Sequence, residues 1–156
     1  IGVFLGITIG CYQLSALEYS RHIHRIDTAR GSLVVRDERH AAIVRALSEL
    51  PRSYRAIVVP QGAGFVFLSG LAWNDGTFAY APFDLTGGYS DEQLPALWSK
   101  RPPDVVIYFR LMSSNDGTVE FGHGYGENAY TWLFSHYHFV PHAQGFLIGL
   151  RNPDNR

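Results

Sequence analysis

Two stretches of this chain, Tyr54 to Val59 (YRAIVV) and Asp104 to Phe109 (DVVIYF), are apolar at successive positions rather than at alternate ones. A strand with no polar side has no face to offer water, so each reads as an inner strand of a sheet covered on both faces. The segments between them are built to be the covers. Ser32 to Val35 is a short β-rich run, and Asp37 is an N-cap candidate for a helix from Glu38 to Leu50 that Pro51 closes. Ile43, Ala46, Leu47 and Leu50 repeat with the helical period there, while Arg45, Ser48 and Glu49 face water. After Pro60, Gln61 to Leu71 (QGAGFVFLSGL) reads as a loop and short helix with Gly70 as its C-cap. Asn74-Asp75-Gly76 is a turn signal, and Thr77 to Phe83 alternates as a strand. Ser90 and Gln93 have capping-box spacing for a helix carrying Leu94, Leu97 and Trp98 to Lys100, with Pro95 in its path. Arg101-Pro102-Pro103 then turns the chain into the second inner strand. Asn115-Asp116-Gly117 repeats the turn signal, Phe121 to Gly126 (FGHGYG) is a glycine-rich loop, and Glu127 to Tyr137 is an aromatic amphipathic helix. His138 to Val140 and Gly145 to Leu150 form a closing pair. Strands alternating with helices predict an α/β fold: three layers, a mostly parallel sheet and a C-terminal antiparallel hairpin. No internal repeat or interdomain linker interrupts residues 31–151, and 152–156 is a polar tail.

The start of the chain has another character. Ile1 to Leu17 (IGVFLGITIGCYQLSAL) carries no charge and falls just short of the ~20 apolar residues that cross a bilayer. With no basic stretch ahead of the apolar run, a secretory signal peptide fits badly. The segment is expected to be the end of a transmembrane helix, with Gly2, Gly6 and Gly10 as a small-residue stripe for helix contact. A buried strand or core helix of a soluble fold is the competing reading. Residues 18–30 would be a membrane-proximal linker whose Tyr19, Arg21, His22, His24 and Arg25 form an interfacial collar. Thirteen Lys and Arg against fourteen Asp and Glu leave no global positive field, which speaks against nucleic acid as a partner. Cys11 is the one cysteine, so no disulfide framework holds the fold.

The candidate chemistry is sparse. Gln61, Gly62 and Gly64 lie between a hydrophobic strand and a helix, where backbone N–H groups hold phosphates. The dinucleotide fingerprint, however, has Phe67 in place of its third glycine, and no Walker lysine follows. Gly122-His123-Gly124-Tyr125-Gly126 offers the same geometry with an imidazole and a phenol added. Both segments also read as plain structural turns. The pairs His22/His24 and His136/His138, with His123 and His142, fall short of a tetrahedral set, so neither metal nor other cofactor is expected. Ser69 sits in no nucleophile elbow. Asp84, Asp104, Glu120 and Glu127 are scattered, so no catalytic residue is assigned. Tyr125, Tyr130, Trp132, Phe134, Tyr137 and Phe139 suit either a core or a sugar-stacking surface.

Taken together, the apolar start, GSLVVRDERHAAIVRALSEL, IVVPQGAGFVFLSGLAW, SDEQLPALWSKRPPDVVIYF and FGHGYGENAYTWLFSHYHFVPHAQGFLIGLR resemble a known arrangement. It is that of the C-terminal extracytoplasmic domain of polytopic bacterial glycosyltransferases related to the dolichyl-phosphate-mannose mannosyltransferases and the lipid A aminoarabinose transferases. The resemblance implies a parent enzyme of the bacterial inner membrane that transfers a sugar from a polyprenyl-phosphate donor to a lipid or protein acceptor. This chain would be its non-catalytic periplasmic domain, because the family's catalytic acidic residue lies in a region with no counterpart here. Membrane lipid and lipid-linked sugar would be the partners, met through Gln61, Gly62, Gly64, His123 and Tyr125. A membrane-anchored binding or interaction domain without catalytic partner helices is the alternative.

Overall fold

A computed structural model of the chain describes residues 23–74, 80, 89–110 and 120–152. The expected membrane helix, the strand from Thr77 to Phe83 (apart from Tyr80) and the Asn115-Asp116-Gly117 turn lie outside the described residues. No described helix is long and apolar enough to cross a membrane.

The architecture is mixed α/β. In chain order the elements are β1 (His24–Thr28), β2 (Gly31–Val35), α1 (Glu38–Ser48), β3 (Arg55–Val59), α2 (Ala63–Ser69) and β4 (Ala72–Trp73). They continue with α3 (Gln93–Lys100), β5 (Val105–Phe109), β6 (Glu120–Phe121), β7 (Gly124–Tyr125), α4 (Glu127–His136), β8 (Tyr137–His142) and β9 (Phe146–Arg151). Local chemistry explains most boundaries. The Asp37 carboxylate accepts from the Arg39 N–H at 2.8 Å to start α1, and Gly70 ends α2 in the left-handed conformation. The Ser90 N–H donates to the Gln93 side chain at 2.9 Å, which is half of the expected capping box. Pro95 lies in the first turn of α3, where no intrahelical partner for its missing N–H is needed.

The main sheet has five strands in the order β4-β3-β5-β9-β8. β4, β3 and β5 are parallel, and β9 runs antiparallel to both neighbours, so β8 points the same way as the parallel three. Alternate residues of the inner strands feed two cores. Ala56, Val58, Val105, Ile107 and Phe109 pack with Ile43 and Leu47 of α1 and Val66 of α2. Ile57, Val59, Val106 and Tyr108 pack with Leu94 and Trp98 of α3 and Leu133 of α4.

His24–Thr28, inside the stretch read as a linker, is strand β1. It pairs antiparallel with β2 and buries Ile26 against Ala41 and Val44 of α1. Ser32 and Asp27 hydrogen-bond across the outer side of this hairpin.

Candidate functional site

The connection after β3 leads to α2 on one face of the sheet, and the connection after β5 leads to α4 on the other. Two adjacent parallel strands whose following segments leave in opposite directions open a crevice at their carboxyl ends, where ligands of open α/β sheets bind. Both loops singled out in the sequence are at this pole. They are joined through Tyr80, whose N–H donates to the Pro60 carbonyl at 2.6 Å and whose ring meets Phe121 edge-on at 6.4 Å.

The first loop is steric in character. A Cβ on Gly62 would lie 2.0 Å from the Val58 Cβ, so glycine is needed for the chain to fold back on β3. At Gly64 a Cβ would meet nothing, and both Gly64 and Gln61 are exposed. The Gly62 carbonyl accepts from the N–H groups of Phe65 and Val66, which begins α2.

The second loop is knotted on its own backbone. Glu120 and His123 exchange N–H donors, and the Gly122 N–H donates to the Tyr125 carbonyl at 2.7 Å. Gly126 has φ 65°, and a Cβ there would lie 2.5 Å from the Phe121 ring. The anion expected at the start of α4 is supplied by the chain itself. The two carboxylate oxygens of Asp91 accept from the backbone N–H groups of Asn128 and Ala129, each at 2.9 Å, and Glu127 accepts from the Gly124 N–H at 3.2 Å. Asp91 lies in the Ser-Asp-Glu-Gln stretch that marks α3, and nothing in its local sequence shows that it caps a helix 37 residues further on.

What this pole does present is phenols. Tyr108 at the end of β5 meets the Tyr130 ring at 5.9 Å, the exposed His123 lies 5.9 Å from the same ring, and Tyr125 packs on Phe121 at 5.8 Å. Burial first, then the neighbouring Tyr108 and Glu120, push the Tyr125 phenol up to about 12, and burial also raises Tyr108. Both therefore remain protonated donors at neutral pH. Beside them Arg110 and Glu120 form an ion pair at 3.4 Å. Tyr130 is one of the aromatics that the sequence suits to either a core or a sugar-stacking surface, and the fold adds Tyr108, which lies in an inner-strand run that reads as core alone. Among the described residues no three His, Cys, Asp or Glu side chains gather as a metal site. His136 closes α4 and His138 is exposed on β8.

Comparison with protein-family models, with the curated proteins and with the solved structures finds no match to this chain.

Proposed function

We propose that this chain is a sugar-binding, non-catalytic domain of a membrane glycosyltransferase that takes its sugar from a polyprenyl-phosphate donor and passes it to a lipid or protein acceptor. In this reading the domain has three layers, stands on the periplasmic side of the bacterial inner membrane, and follows the end of a membrane helix at Ile1 to Leu17. The observation that carries it is the group of phenols, Tyr108, Tyr125 and Tyr130, with His123 and the Arg110–Glu120 pair at the switch point. Neutral O–H groups and an ion pair hydrogen-bond to sugar hydroxyls, and ring faces take the apolar side of a pyranose. With Asp91 and Glu127 on the N–H groups around the start of α4, the contact there is to sugar rather than to phosphate.

The test is binding of polyprenyl-phosphate mannose and of unglycosylated polyprenyl phosphate to the full chain in detergent. The glycosylated lipid should bind more tightly, and Tyr125→Phe and His123→Ala should each erase a large part of the difference while leaving the fold unchanged by circular dichroism. Equal binding of the two lipids, or full discrimination in both variants, would remove the sugar-binding reading.

A further inference from the structure

Among the described residues most exposed apolar side chains are single or already engaged. Val34 stands beside Arg25 on the β1–β2 hairpin, the Arg30 guanidinium lies 5.0 Å over the Phe67 ring, and Phe134 is stacked at 4.3 Å on both Tyr130 and Phe139. The end of the main sheet is different. The register of β8 on β9 pairs Val140 with Ile148, His138 with Leu150 and His142 with Phe146, so these six residues share one side. Phe146 and Ile148 place that side with the hydrocarbon core of α1 and α2. The cover gives out across it: Phe146 is buried, Ile148 is half-buried, and Val140 and Leu150 remain 47% and 46% exposed. The helix layer thus ends over β9, and the last strands form a bare apolar ledge one layer deep.

We propose that two copies of this chain meet on this ledge about a two-fold axis, with β8 and β9 of one face to face on β8 and β9 of the other. An isologous contact brings each residue against itself or its symmetry mate, so an ion on the patch would confront its like. The six residues include no Asp, Glu, Lys or Arg. A helix is about 10 Å across, which is also the distance between two packed sheets. A second sheet therefore fits the layer that α1 leaves empty, and the two-fold axis puts the α1 of the second copy beyond the free side of β8.

The strand edge is less suited to pairing than the face. β8 is the outer strand of the five, but its Pro141 has no N–H to offer, and the Tyr137 N–H donates to the Leu133 carbonyl. Extension of the sheet from strand to strand would be short of donors, whereas the face needs none. Two short strands per copy make a contact at the small end of specific interfaces, so the dimer is weak and depends on concentration. Tyr108 and Tyr125 belong to the core on the opposite side of the sheet, and the dimer stands whether or not they bind sugar.

The test is sedimentation of the full chain in detergent over a wide range of concentration, together with cross-linking. The chain should pass from monomer to dimer as concentration rises. Val140→Arg and Leu150→Arg should each weaken association by about tenfold or more, because each sets two like charges against one another. A mixture of Val140→Arg and Val140→Glu chains should associate although neither does so alone. In a Cys11→Ser chain, Val140→Cys should join to its copy through a short bifunctional maleimide, whereas Val34→Cys, 59% exposed on the hairpin in the parent, should not. That pair separates a specific contact from the sharing of one micelle, and it carries the test if the arginine variants do not fold. A chain that stays monomeric, equal cross-linking at positions 34 and 140, or association unchanged in both arginine variants would overturn the proposal. Monomers in which detergent shields Val140→Cys from a water-soluble maleimide would give the face to lipid and overturn it as well.

Discussion

The two faces of the sheet are covered by different chemistry. Under α1 and α2 the core is mostly hydrocarbon: Ile43, Leu47, Val58, Val66, Val105 and Ile107. Under α3 and α4 it is mostly rings: Tyr80, Trp98, Tyr108, Phe121 and Tyr137, with Tyr125, Tyr130 and Trp132 partly buried around them. Hydrocarbon fills space and leaves nothing to satisfy. A buried phenol or indole must end at a partner, and here the Tyr137 O–H reaches the Pro103 carbonyl at 2.6 Å and the Trp132 N–H reaches Ser99. The ring-rich face consequently carries polar tips to both of its ends, the phenols of Tyr108, Tyr125 and Tyr130 at one and the Trp132 indole on Ser99 at the other. One face supports the fold, and the other supports it while bringing polar groups to its ends.

The largest effects should come from emptying each face in turn. Trp98 and Leu47 are both fully buried. Trp98→Ala should cost about 4 kcal/mol and Leu47→Ala about 3 kcal/mol in denaturant unfolding. At matched folded fraction only the Trp98 variant should lose preference for the glycosylated lipid, because Trp98 packs at 5.7 Å against Tyr80, whose ring meets Phe121 of the glycine loop. Equal loss of binding in Leu47→Ala would show that the two faces do not divide as described.

A smaller effect sharpens how the ring-rich face holds its glycine loop. Asp91→Ala removes the cap of α4 and should cost about 1 kcal/mol in the same measurement. It also releases N–H donors at a helix start, so sulfate should restore part of the loss in the variant and none in the parent. A variant as stable as the parent would show that the cap contributes nothing.

The smallest effect is confined to alkaline pH. Tyr108, Tyr125 and Tyr137 all have phenols raised chiefly by burial, and all belong to the ring-rich face. A group whose pKa is raised by folding keeps its proton after the unfolded chain has released it. Its stabilisation is therefore complete below the ordinary value of 10.0 and is lost as pH rises through the folded value, about 12 for Tyr125. Stability should be level up to that ordinary value and fall above it. Tyr125→Phe should make the fall shallower, whereas Leu47→Ala should lower the whole curve without changing its alkaline slope. A Tyr125→Phe curve as steep as the parent's would place the alkaline loss elsewhere.

What was legible in the sequence follows from the range of the forces involved. The inner strands and the start of α1 announce themselves because continuous apolar runs and the Asp37 cap are local signals. β1 was hidden, since HRIDT has one inward apolar residue, Ile26, among polar neighbours, and its strand character depends on pairing with β2. Nor does periodicity carry strand order, so nothing placed β9 between β5 and β8. Of the site, the glycine loops were visible as glycines. That Asp91 fills the start of α4 and that Tyr108 meets Tyr130 are facts of tertiary approach with no short-range mark.

The position of β9 bears on how the chain survives its own synthesis. β5 pairs with β3 on one side and with β9 on the other, and β9 is the last of the described strands. Until Phe146–Arg151 emerges, Val105–Phe109 has an uncovered hydrogen-bonding edge made of Val-Val-Ile-Tyr-Phe, short, β-prone and uncharged. Such an edge is a template for self-association. β8 cannot cover it first, because it reaches the sheet only through β9. The nascent chain thus passes through an aggregation-sensitive interval that ends when the final hairpin docks as a unit, and a holdase chaperone or slow synthesis of the last strand would act on that interval alone.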